Sequence, residues 1–191
     1  MESKIILNFQ KAKKIMSLQF DYLVSIKKQF LYYKTVGEKA MEQLEPEQLF
    51  ISVNEDTNSI AVIIKHLSGN MISRWTDFLT SDGEKEWRNR DTEFEEQHLS
   101  KKQLIDLWEK GWQCLLDALN ALAEDDLLKT IYIRSESLLV VDAVNRQLAH
   151  YPYHVGQIIY VAKIITNNNW QNLSIAKGNS SQFNNQMNTK K

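Results

Sequence analysis

The chain has 191 residues, 43% hydrophobic and 25% charged, which suits one soluble domain with a full core rather than two domains or a disordered chain. Its formal charge of -1 gives no general attraction to phosphate backbones, so nucleic-acid binding has no electrostatic support. The single cysteine excludes an intrachain disulfide framework, and no apolar stretch approaches the length of a membrane helix, so a cytoplasmic setting is expected.

With only 2 prolines and 6 glycines, the apolar residues recur at spacings of three and four, the period of helices. The polar segment from Met1 to Ile15 is weakly patterned, and residues 1–16 are expected to be an extension before the first helix. A first helix is predicted from Ser17 to Leu44, with Phe20, Leu23, Phe30, Tyr33, Val36, Ala40 and Leu44 on its buried side and Pro46 stopping it. Asn58 or Ser59 caps a second, which runs to about Leu79 and ends in the turn chemistry of Thr80-Ser81-Asp82-Gly83.

The charged stretch from Glu84 to Gln97 reads as a long connection with two aromatic anchors, Trp87 and Phe94. Ser100 and Gln103 form a capping box that starts a third helix through Leu122. The β-branched and aromatic residues of Lys129 to Ser137 predict a small hairpin. A fourth helix follows from Leu138 to about Thr166, with Pro152 expected to kink or loosen it. Beyond Trp170 the chain is polar and unpatterned, and its last turns are expected to be disordered. The expected fold is therefore all-α, with a core domain over 17–175 and a polar tail over 176–191.

Three of the 4 histidines carry the clearest chemistry. His150 and His154 are spaced i,i+4 and share one helix face, and His66 lies on the inward side of the second helix with Asn70 and either Val62 or Ile63. Three neutral imidazoles would leave a bound cation charged and with an open coordination position, the pattern of a catalytic rather than a closed structural site. The competing reading is that each buried histidine only satisfies a hydrogen bond. Such a donor set suits zinc or nickel, and less well iron or manganese. A kink at Pro152 would decide whether both rings of the pair converge.

Helical spacing suggests four residues that could orient the ligands or bind substrate. Asn70 and Arg74 lie one and two turns beyond His66, and Gln147 and Gln157 flank the histidine pair at three-residue steps. Arg74 is the cation that could pair with a substrate carboxylate. Tyr153 and the 5 tryptophans, Trp75, Trp87, Trp108, Trp112 and Trp170, read as packing residues. Cys114 sits in a helical stretch where a small thiol packs easily, and is expected in the core.

Other motifs fail. Tyr151 follows His150, so there is no metalloprotease His-Glu-x-x-His, and Glu95-Glu96-Gln97-His98 matches Glu-x-x-His only once, where a di-iron bundle needs two copies. Neither a phosphate-binding glycine loop nor a serine-hydrolase elbow occurs.

The stretches Asn58 to Met71, Ser73 to Lys85, Arg88-Asn89-Arg90-Asp91, Asn145 to His150 and His154-Val155-Gly156-Gln157-Ile158 resemble the DinB-like four-helix metalloproteins, in the branch of small bacterial proteins of unassigned function. The resemblance covers roughly residues 16–183 and implies an up-down-down-up four-helix bundle with a divalent metal on His66, His150 and His154. Relatives in that superfamily include thiol transferases using bacillithiol, mycothiol or glutathione, so a low-molecular-weight thiol and a small-molecule electrophile are the implied ligands. The three histidines would be metal ligands rather than acid or base, and residues around Arg88 to Asp91 would read the thiol's sugar or peptide portion. Homodimers are common among such bundles. The alternative is a non-catalytic metal-binding or stress-associated protein that mainly associates with itself.

Overall fold

The computed structural model describes residues 17–95 and 99–189; the expected extension before Met16, and Met16 itself, lie outside them. Five α-helices and one small antiparallel sheet follow in the order α1 (Leu18–Met41), α2 (Ile60–Trp75), α3 (Lys101–Ala121), β1 (Thr130–Ile133), β2 (Glu136–Leu139), α4 (Val140–Thr166) and α5 (Ser180–Asn188). No helix among the described residues is long and apolar enough to cross a membrane.

Helix starts follow their caps. The Ser17, Ser59 and Ser100 side chains each accept a backbone N–H three residues on, which satisfies a donor that the first turn leaves without an intrahelical partner. At Ser100 the predicted box is complete, because Gln103 Oε1 in turn accepts the Ser100 N–H at 2.8 Å. α2 stops at Trp75, earlier than the expected Leu79: Asp77 takes a positive φ of 49°, and the chain turns through Thr80 and Ser81, whose N–H groups bond the Asp77 carbonyl.

α2 packs most extensively on α3 and α1 on α4, and α2 also meets α4. Between them lies an aromatic core of Phe30, Trp108, Trp112 and Tyr151, all at 0–1% exposure. Their rings meet edge-on or tilted at centroid distances of 5.4 to 6.4 Å, the arrangement aromatic quadrupoles favour. Trp75 is buried as expected, but Trp87 is 60% exposed and anchors nothing. Cys114 is half-buried beside Thr76, and burial pushes its thiol pKa up, against a nucleophilic role.

The hairpin falls where the β-branched run predicts it, with Thr130 opposite Leu139 and Ile133 opposite Glu136. Arg134 and Ser135 both have positive φ, 56° and 63°, in a tight turn without the usual glycine or asparagine. Asp82 compensates from across the chain: its carboxylate accepts the Arg134 N–H at 2.8 Å and the Ser135 N–H at 2.7 Å. The hairpin is thereby tied to the start of the connection between α2 and α3.

α4 runs unbroken through Pro152. Proline lacks the N–H that would bond the Leu148 carbonyl, and the helix tolerates that loss because its buried side, with Val144, Gln147, Tyr151, Val155 and Ile158, is packed into the core. In the polar tail, Ser180–Asn188 forms the short helix α5 with every residue exposed.

Candidate functional site

α2 and α4 bring His66, His150 and His154 together. One ligand nitrogen from each lies within 4.8 Å of the others, and the Nε2 atoms of His150 and His154 are 3.0 Å apart. Ring centroids lie 5.6 Å apart for His66 and His150, and 4.9 Å for His66 and His154. Pro152 does not turn either imidazole of the pair away.

Each ring is held by its other nitrogen. His66 Nδ1 lies 3.0 Å from Glu93 Oε2, His150 Nδ1 3.3 Å from Gln147 Oε1, and His154 Nδ1 2.7 Å from Gln157 Oε1. With an acceptor at every Nδ1, the proton of each neutral imidazole belongs there and the Nε2 lone pairs are left to converge. Gln157 is oriented in turn, donating from its amide nitrogen to the Tyr153 hydroxyl at 3.2 Å.

For His150 and His154 the electrostatics favour the neutral ring. Burial, then the charges of His154, His66, Arg74 and Arg146, lower the His150 pKa from 6.5 to about 4. Burial also lowers that of His154, against the opposing hydrogen bond to Gln157. Burial alone would raise the Glu93 carboxyl, but hydrogen bonds from His66 and Arg88 outweigh it and hold the group below its ordinary range.

Such a donor set fits a divalent cation. Around a tetrahedral ion with bonds of about 2.0–2.1 Å, neighbouring ligand nitrogens sit about 3.3 Å apart. That distance falls between the 3.0 Å of the closest pair and the 4.8 Å outer limit of the cluster. Three protein ligands leave a position for an exogenous one, on the side where His150 and His154 are only half-buried and Tyr153 is exposed.

Of the four orienting candidates, Gln147 and Gln157 contact the histidines, whereas Asn70 and Arg74 make no hydrogen bond to them among the described residues. Asn70 Oδ1 accepts from the Tyr151 hydroxyl at 3.1 Å, and that hydroxyl accepts from Trp75 Nε1 at 3.0 Å. Arg74 donates to the Gly83 carbonyl and to Glu84 Oε2, the latter at 3.0 Å. Its guanidinium braces the turn after α2.

Arg88 is likewise engaged. Its Nε and Nη2 donate to Glu93 Oε1 and Oε2 at 2.7 and 2.9 Å. The residues that spacing could not reveal are therefore Glu93, Arg88 and Phe94, whose ring lies 5.4 Å from that of His66. Phe94 also lines a cavity of about 670 Å³ with Val62, Lys65 and Gln103, into which none of the three histidines opens. Glu96, Gln97 and His98 of the rejected Glu-x-x-His match lie outside the described residues.

No curated protein matches the sequence. A family model does, over residues 17–179, a span that takes in all four long helices and the whole histidine cluster. The chain belongs to that family, described as a protein of unknown function, DUF1572.

Proposed function

We propose that the chain is a divalent-metal protein of the DinB-like four-helix kind, with α1 to α4 as its bundle, and that it transfers a low-molecular-weight thiol of the bacillithiol type to an electrophile. The observation that carries the reading is the convergence of three imidazole nitrogens within 4.8 Å, each ring oriented by a partner at its far nitrogen. A divalent cation at that point supplies a Lewis acid that favours the thiolate form of a bound thiol at neutral pH.

The chain's own residues do the rest. Gln147, Gln157 and Glu93 fix ring orientation, so the ligands need little rearrangement before binding. Phe94 packs against one side of His66, which leaves the half-buried side beside Tyr153 and Gln157 for the ligand. The histidines act as ligands in this chemistry, not as general acid or base.

A second reading, metal binding without turnover, is favoured by one observation. Arg74 and Arg88, the cations best placed in sequence to read a thiol's carboxylate, are both committed to internal carboxylates.

The first test is metal content by mass spectrometry on untagged protein, comparing the native chain with His66→Ala. Near-stoichiometric metal that is lost in the variant supports the site; a native protein that stays metal-free and cannot be reconstituted sinks both readings. Metal-dependent turnover of bacillithiol with a model electrophile, lost in His154→Ala, then separates the transferase from the non-catalytic protein.

A further inference from the structure

Glu93 comes from a charged connection with no periodicity, yet its residue is only 8% exposed. A buried carboxylate is unfavourable unless its oxygens are matched by donors, and here they are. Oε2 receives His66 Nδ1 and Arg88 Nη2, and Oε1 receives Arg88 Nε, from a guanidinium side chain itself 3% exposed. α2 makes room for this approach at Gly69, one turn after His66, where an added Cβ would stand 2.2 Å from Glu93 Oε1. The next two residues extend the grip: the Phe94 ring packs at a tilt against that of His66, and the Glu95 carbonyl accepts the Lys65 ammonium.

The three histidines are not held alike. His150 and His154 lean on neutral carboxamides from their own helix, at three-residue steps. His66 alone has a charged acceptor, and it comes from 27 residues away.

The geometry points to Glu93 as the positioning residue for metal capture. It keeps the proton of His66 on Nδ1, presents the Nε2 lone pair to the point shared with His150 and His154, and is held by Arg88 in the space that Gly69 leaves open. The inference rests on the reading of the cluster as a metal site. A carboxylate behind an imidazole makes it a stronger donor to a cation than a carboxamide does, and loss of such a partner lowers metal affinity about 10–100-fold. Arg88 acts differently. By occupying both carboxylate oxygens and balancing their charge, it keeps Glu93 behind His66 and out of the cluster as a fourth ligand.

The test uses the full chain in two forms: the double variant Arg88→Met/Glu93→Leu, which removes both buried charges together, and Gly69→Ala, which keeps them but displaces the carboxylate. Nitrogen-15 shifts of the histidine rings, read in metal-free protein at pH 7.5, report the tautomer; zinc affinity comes from competition with a chromophoric chelator. We expect wild-type His66 in the Nδ1–H form, loss of that preference in both variants with the His150 and His154 rings unchanged, and a 10–100-fold rise in zinc Kd. A wild-type His66 carrying its proton on Nε2, or a folded double variant that binds zinc within about twofold of wild type, overturns the role of Glu93 while leaving the metal site standing. A wild type that binds no zinc overturns the metal site itself, and the two failures are thus told apart.

Discussion

The Nε2 atoms of His150 and His154 face each other at 3.0 Å, one helical turn apart on α4, while a glutamine carboxamide oxygen occupies the Nδ1 side of each ring. With both protons drawn to Nδ1, two lone pairs point at one another, and a cation between them turns that repulsion into coordination. Zinc or nickel at a hundredfold excess over its Kd is therefore expected to raise the unfolding free energy by about 2.7 kcal/mol. Urea melts with and without metal check this. A midpoint that does not move with metal in the wild type, or moves equally in His150→Ala, would count against the site.

Acid should weaken the fold before the carboxylates titrate. Burial and neighbouring charges hold the His150 pKa at about 4 in the folded protein against 6.5 for the free side chain, so between these values the unfolded chain binds the extra proton. Stability then rises with pH through that window, and is lost as pH falls from 6.5 toward 4. His154, shifted the same way, adds to the slope. Denaturation midpoints measured from pH 7 to pH 4.5 are expected to fall less steeply in His150→Asn than in the wild type; equal slopes would show that the His150 ring titrates normally.

Tyr151 links the core to the second helix through its hydroxyl, which accepts from Trp75 and donates to Asn70. Tyr151→Phe keeps the ring in the aromatic cluster but leaves a buried donor and a buried acceptor without their partner. The expected loss is about 1–3 kcal/mol of stability, with metal stoichiometry unchanged. Chemical denaturation together with metal analysis checks both halves.

Pro152 interrupts the backbone ladder of α4 between the two histidines. Pro152→Ala restores a donor to the Leu148 carbonyl, and is expected to raise stability by about 1–3 kcal/mol, since proline in a helix interior costs up to about 3 kcal/mol. A thermal melt decides. A fall in Tm would show that the ring's packing outweighs the missing hydrogen bond.

The histidine cluster was legible because its parts obey helical spacing. His150 and His154 share a face by number alone, and Gln147 and Gln157 follow at the same period, so their contacts could be named from the sequence. The hairpin was legible because Ile131, Tyr132 and Ile133 form a β-branched and aromatic run between two helical patterns. Glu93 was not, because a residue in a connection has no period, and only the tertiary path of the chain brings it back over His66. Asn70 and Arg74 show where helical spacing stops short of contact with the histidines. Their spacing from His66 is correct, but a helix face is wide enough for a side chain two turns away to be claimed by a different partner, here Tyr151 and Glu84. Trp87, 60% exposed, shows that aromatic character alone does not bury a residue.

Gly111 of α3 lies against α2 so closely that an added Cβ would stand 2.8 Å from the Ser68 Cα, and the Ser68 hydroxyl donates to the Leu107 carbonyl at 2.7 Å. The backbone of α2 is thus pinned directly behind the turn that carries His66 and Gly69. The histidine cluster behaves mechanically as a vice with one fixed jaw. Any small adjustment of ligand spacing around an ion therefore falls to side-chain rotation and to α4, where the hydrogen-bond ladder is already open at Pro152.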